Sequence, residues 1–198
     1  MKLHVYPPSP NARKVMVVNE HLGCGAEIQT IDLLAGEQRQ DAFLALNPNG
    51  RIPVLEFDDG TTLWESNAIM NRLASDSDNH LWPRDNSRYD IMRWQFWEGC
   101  HWTPAAGKFI AKHLFKDDSV DLDKAEVEFR RFAEVLEARL AGRDWLVGDA
   151  MTNADLSVSA IMCYREQSAM PVGEYANILR WLAAVEAVPA WQSANARA

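Results

Sequence analysis

The stretch LNPNGRIPVLEFDDGTTLWESNAI, residues 46–69, decides the reading of the first part of this chain. PVLEF and TTLW, on either side of the turn residues Asp58, Asp59 and Gly60, have the composition of a β-hairpin. Pro53 opens the first of these strands although it has no N–H to give to a sheet. It therefore belongs on an edge, at a strand's first residue, or where the ladder is left open. Two readings stand. One is a trans proline that begins the strand; the other is a cis Ile52-Pro53 bond whose bend turns the N–H and C=O of Ile52 into a groove. In the second reading an extended ligand pairs with Ile52 as one more strand, which makes the segment a receptor for a short peptide.

Working outward, KLHVY (2–6) and EIQTIDL (27–33) read as strands, and NARKVMVVNEHLG (11–23) as a helix closed by Gly23. QRQDAFLAL (38–46) and SNAIMNRLAS (66–75) read as two further helices. A helix between the first two strands makes them parallel, and the hairpin is antiparallel. The expected product is a mixed four-stranded sheet with helices over it, an α/β domain spanning residues 1–76. The polar segment DSDNHLWPRDNS marks a linker at 77–84, and residues 85–198 read as an all-helical domain.

In that second half RYDIMRWQFWEGCHW (88–102) follows a capping pattern at Ser87 and Asp90, and Pro104 is predicted to bend or break it. Between 122 and 142 the apolar residues Ala125, Phe129, Phe132, Leu136 and Leu140 recur at three- and four-residue steps, with Gly142 as the stop. Thr152 to Asp155 form a capping box ahead of LSVSAIMCYR, a segment apolar nearly all round and so expected to be a buried helix.

Composition excludes several classes. With 198 residues, 47% of them hydrophobic, the chain can bury a core, and a formal net charge of −8 argues against nucleic acid as a partner. No apolar run approaches the roughly 20 residues of a membrane span, and MKLHVYPPSP lacks the apolar core of a secretion signal; the expected location is the cytoplasm. Three widely spaced cysteines, Cys24, Cys100 and Cys163, suggest buried thiols rather than a disulfide framework or dithiol centre. The five histidines show no metal-binding spacing, so no metal is expected. GCGAEI follows a helix rather than a strand and lacks the third glycine of a dinucleotide loop, and no GxSxG elbow is present.

Two further places point to the same groove as Ile52. Glu65 and Ser66 stand where the hairpin passes into a helix, whose first amides are free and carry partial positive charge. Ser66 either caps its own helix or holds a ligand carboxylate there, with Glu65 meeting an ammonium; an amino acid head group carries both charges. Ser9, before Pro10, is a favoured helix opening. Its hydroxyl either caps the helix or donates to a thiolate near the helix start, lowering the pKa of the thiol.

At these places the chain resembles the cytosolic glutathione transferases, in particular their theta-like and bacterial serine-type members. NPNGRIPVL resembles the family's cis-proline strand, ESNAI its γ-glutamyl signature, SPNARKV the start of its first helix, and GDAMTNADLSVSA its capping box and buried helix. The resemblance implies a thioredoxin-like first domain followed by an all-helical one, with glutathione as substrate or co-substrate. Carried over by residue, it implies that Ile52 pairs with the cysteinyl part, that Pro53 is cis, and that Glu65 and Ser66 hold the γ-glutamyl end. Gln38 and Arg51 would face the glycyl carboxylate. Ser9 or Asn11 would activate the thiol, with Tyr6 ranked below both. A free thiol has a pKa of about 8.5, and lowering it by about two units takes roughly 2.7 kcal/mol. A hydroxyl hydrogen bond to the thiolate, worth about 1.5–3 kcal/mol, and the helix start, worth some tenths, together suffice.

The activated thiol would attack a small apolar electrophile in the helical domain, where RWQFWEGCHWTPAAGKFI is unusually aromatic. Trp94 and Trp97 share a helical face and are expected in the core, while Trp102 and Phe109 are expected to form an apolar substrate wall, with Cys100 nearby. The alternatives are a glutathione-dependent isomerase, dehalogenase or peroxidase, and a non-catalytic binding or regulatory protein on the same fold. The family further implies a homodimer with a role in detoxification.

Overall fold

A computed structural model describes residues 1–197. By its internal contacts the chain divides into two compact units, Met1–Asn79 with Val188–Ala198, and His80–Ala187.

The first unit is built on strands β1 (Lys2–Val5), β2 (Glu27–Thr30), β3 (Val54–Glu56) and β4 (Thr62–Trp64). Their order across the sheet is β2-β1-β3-β4. β1 runs parallel to β2, with Leu3 opposite Ile28, and antiparallel to β3, with Leu3 opposite Leu55; β3 and β4 form the antiparallel hairpin. This is the mixed sheet that the sequence predicts. Leu3, Val5, Val54 and Leu55 have no exposed surface, so the middle of the sheet is core. Helices α1 (Pro10–His21) and α3 (Ser66–Ala74) pack on each other through buried faces that include Val15, Met16, Ile69 and Leu73, and α2 (Asp41–Leu46) precedes the loop into β3.

The last helix of the chain, designated α9 below and spanning Pro189–Ala196, packs on α1. Trp191 is 1% exposed, Ser193 Oγ donates to Glu20 at 2.8 Å, and Arg197 pairs with Glu20 at 3.5 Å. Residues from Val188 onward thus belong with the first unit, although the sequence reading assigned them to the helical domain. The short helix carries too few apolar residues to show which core it completes. The expected linker differs as well: Leu81 and Trp82 are buried, and Leu81 C=O accepts from Asn153 N–H at 2.9 Å, so this segment is built into the second unit.

The second unit holds α4 (Ser87–Trp97), α5 (Thr103–His113), α6 (Leu122–Leu140), α7 (Asn153–Ala160) and α8 (Ala176–Glu186). α4 makes no side-chain cap bond at its start; Asp85 Oδ1 instead accepts from the Ser87 N–H at 2.8 Å. Between α4 and α5 lies a wide π turn, Glu98–Trp102. Pro104 has no N–H for the carbonyl four residues back, and the widened turn absorbs that loss without ending the helical path. Trp94 is buried as expected, and Trp97 packs edge-on against it at 5.1 Å. On α6 the buried stripe is Ala125, Phe129, Ala133, Leu136 and Leu140; Phe132, expected in it, is half-buried and stacks on His101 at 5.1 Å.

α7 is buried along its whole length, and its capping box is formed. Asp155 at its start has no exposed surface and accepts hydrogen bonds from the N–H groups of Leu146 and Thr152, both at 2.8 Å, from Thr152 Oγ1 at 3.1 Å and from Trp181 Nε1 at 2.9 Å. Burial pushes its carboxyl up from the ordinary range, while these hydrogen bonds pull it back. One side chain therefore ties the loop before α7, the helix start and α8 together. Asp155→Ala would leave several buried donors without an acceptor and should cost about 3 kcal/mol or more. Chemical denaturation of the purified variant checks this; a loss below about 1 kcal/mol would show that the network is dispensable.

Candidate functional site

A small cleft in the first unit is lined by Asn11, Asn47, Arg51, Ile52, Pro53, Glu65 and Ser66. The Ile52-Pro53 bond is cis. Ladder pairing of β3 with β1 starts at Val54, opposite His4, so Ile52 lies ahead of the sheet. Among the described residues its N–H and C=O make no backbone hydrogen bond.

The loop before Ile52 is held by Asn47, a residue that the sequence reading passed over. It is 2% exposed, and its Nδ2 donates to the Arg51 carbonyl at 2.7 Å while its Oδ1 accepts from the Asn49 N–H at 3.0 Å. Asn-Pro-Asn-Gly is turn chemistry, and that was the available signal. Gly50 completes the turn at φ 60°, and a Cβ there would stand 3.1 Å from the Gln38 carbonyl oxygen, so glycine is required twice over.

The far wall is the start of α3. Its first helical bond runs from Ile69 N–H to Glu65 C=O at 3.0 Å, which leaves the amides ahead of it without an acceptor inside the helix. Ser66, 8% exposed, does not cap its own helix; its Oγ donates to Asn11 Oδ1 at 3.3 Å. Glu65 is exposed and holds φ 73°, ψ 111°, a conformation that costs a residue with a side chain on the order of 1–3 kcal/mol. Such strain persists where the surroundings force it, and here it directs the Glu65 carboxylate and the Ser66 hydroxyl into one cleft.

Of the residues singled out in the sequence, Asn11, Arg51, Ile52, Pro53, Glu65 and Ser66 thus meet. Ser9 is not among the lining residues. It stands directly before α1, and its hydroxyl makes no cap bond to that helix, so the bland capping reading is not what the structure shows. Gln38 also lies outside the lining: it sits in the turn Glu37–Arg39, its Nε2 3.5 Å from the Leu33 carbonyl and its Oε1 buried without a partner.

The expected apolar wall needs correction. Trp102 has no exposed surface, donates from Nε1 to the Val158 carbonyl at 3.0 Å and packs on Phe129 at 4.8 Å. Phe109 is 4% exposed and meets the same Phe129 edge-on at 5.5 Å. Both are core of the second unit, because rings with at most 4% of their surface exposed leave no open face for a substrate. The thiols need it too: Cys100 is exposed on the π turn, and Cys24 and Cys163 are half-buried rather than buried. Burial still pushes the Cys24 thiol up. Among the described residues no helix is long and apolar enough to cross a membrane, and no cluster of three His, Cys, Asp or Glu is placed to hold a metal ion.

A four-stranded mixed sheet with an open strand start facing a helix N-terminus, followed by a helical unit, defines a class, and comparison with known proteins agrees. The glutathione S-transferase N-terminal domain model matches residues 8–76 and the C-terminal domain model residues 101–189. Glutathione S-transferase 3 of Zea mays is 31% identical, covering 97% of this chain and 91% of that protein. A glutathione S-transferase from Pseudomonas fluorescens, solved by crystallography, superimposes with a TM-score of 0.85 at 31% identity over 96% of both chains. A glutathione transferase from Burkholderia graminis, whose crystal structure holds two glutathione molecules per subunit, superimposes with a TM-score of 0.85 at 30% identity, covering 98% of this chain and 86% of that one. The chain belongs to the glutathione S-transferase family.

The strain at residue 65 can be measured. Glu65→Gly and Glu65→Ala both remove the carboxylate, but only glycine accepts φ 73° without penalty. The glycine variant should therefore be the more stable of the two by about 1 kcal/mol in chemical denaturation, the reverse of the usual order. The usual order would mean that the backbone at Glu65 is unstrained.

Proposed function

We propose that this chain is a glutathione transferase whose cleft takes glutathione as an added strand and presents its sulfur to the start of α1. The observation that carries this reading is the unpaired backbone of Ile52 in one cleft with Glu65, Ser66 and Arg51. The cysteinyl part of the tripeptide pairs with Ile52. The γ-glutamyl carboxylate takes the positive end of α3 and the Ser66 hydroxyl, whose one proton turns from Asn11 Oδ1 to the ligand as it binds, and Glu65 takes the γ-glutamyl ammonium. Arg51, exposed at the cleft, meets the glycyl carboxylate.

Ser9 is assigned as the donor to the thiolate, because its hydroxyl is not committed to its own helix and stands at that helix's positive end. Asn11, bonded to Ser66, is assigned to orienting the γ-glutamyl anchor. Once ionised, the thiolate attacks a small apolar electrophile, and the chain's contribution is activation and positioning. A cytoplasmic homodimer acting in detoxification completes the reading, as the family implies.

Calorimetry with reduced glutathione, followed by conjugation of a chromogenic aryl halide, tests the assignment. Wild type should bind and turn over. Ser9→Ala should lower kcat/KM by about ten-fold or more at neutral pH and move the pH profile to higher pH, whereas Asn11→Ala should act mainly on KM. An unchanged rate in Ser9→Ala with a shifted profile in Asn11→Ala would transfer the donor role to Asn11. Binding without turnover of a broad electrophile panel would favour a binding protein instead.

A further inference from the structure

Two side-chain hydrogen bonds join the beginning of α1 to the beginning of α3. Ser66 Oγ donates to Asn11 Oδ1, as described, and Lys14 Nζ donates to Asn67 Oδ1 at 2.9 Å. Asn11 and Lys14 are three residues apart and so lie on one face of α1, while Ser66 and Asn67 are neighbours in the first turn of α3. Lys14 is 1% exposed and is among the largest fully buried side chains of the protein. Lysine is almost never buried to that degree, because taking an ammonium out of water costs several kcal/mol even after relaxation. Packing one helix on another does not call for it; a methionine of similar length would fill the space without that cost. What an apolar residue could not do is hold the Asn67 carbonyl oxygen.

Asn67 directly follows Ser66, a lining residue of the cleft, and both lie in the first turn of α3. A side chain pinned at Asn67 fixes the rotation of that turn, and with it the directions of the Ser66 hydroxyl and of the helix's positive end. We propose that Lys14 is a positioning residue of the glutathione site: acting through Asn67, it holds the start of α3 in the orientation that receives the γ-glutamyl carboxylate. Lys14 touches no ligand in this scheme. The proposal rests on the reading of the cleft given above and adds to it a second, buried tie between α1 and α3.

Lys14→Met, Asn67→Ala and the double variant, compared with wild type, test it by calorimetry with reduced glutathione and by steady-state kinetics. Each single change should weaken glutathione binding and raise KM for glutathione by about ten-fold while kcat at saturation stays within about three-fold. The double variant should lose less than the product of the two single losses, because both changes remove the Lys14–Asn67 bond. Wild-type-like affinity in a folded Lys14→Met, a fall in melting temperature with KM unchanged, or losses that multiply in the double variant would each overturn the proposal. Should Lys14→Met fail to fold, Asn67→Ala, at a half-buried position, decides alone: unchanged affinity overturns the assignment and a ten-fold loss supports it. Failure of the wild type to bind glutathione would overturn the reading of the cleft along with this proposal, and the wild-type arm separates that outcome from the others.

Discussion

The arrangement of the first unit depends on where the pairing of β1 with β3 stops. Pro53 has no N–H, and the ladder begins one residue later, with Val54 opposite His4. Had an ordinary residue stood at 53, pairing could have run on and covered the backbone of Ile52. Instead Asn47 takes the Arg51 carbonyl and the Asn49 and Gly50 N–H groups, and the backbone groups of Ile52 stay open. A row of unmet backbone groups is costly in a core and useful at a surface cleft, where an extended ligand can complete it.

That open stretch has meaning because the starts of two helices converge beside it. α3 brings Ser66 and its uncapped amides, and α1 brings Asn11 and, just before it, Ser9. Neither helix has a side-chain cap: Ser9, at the cap position of α1, forgoes a bond of about 1 kcal/mol, and Ser66, the first residue of α3, turns its hydroxyl to Asn11 instead. Glu65 adds a strained backbone. Local stability is thus lower than the sequence could have made it at the very residues that define the cleft, a pattern expected of sites rather than of scaffolds. The bonds from Ser66 to Asn11 and from Lys14 to Asn67 tie the two helix starts together, so the residues they carry keep a set separation.

The second unit illustrates a different limit. By sequence Trp102 and Phe109 read as a substrate wall because they lie near the Pro104 break, off the face that Trp94 and Trp97 share. The π turn alters that phase: a turn closed by longer-range hydrogen bonds advances each residue by a smaller angle, so every side chain after it is rotated relative to those before. Trp102 is thereby carried into the core against Phe129, and Cys100 is left outside.

The sequence by itself determined the strand and helix order of residues 1–76, the helical character of the second half, the hairpin, the capping box at Thr152 and the residue types of the cleft. Those features arise from short-range causes: alternation, turn residues, a proline without an N–H, a serine before a proline. Tertiary structure alone decided that α9 completes the first unit, that Phe132 yields its place to Ala133, that Asn47 holds the loop before Ile52, that Lys14 is buried against Asn67, and that Ser9 is not among the residues lining the cleft. Each of these depends on which surfaces meet across tens of residues of chain, and a contact between distant segments leaves no period or motif at either end.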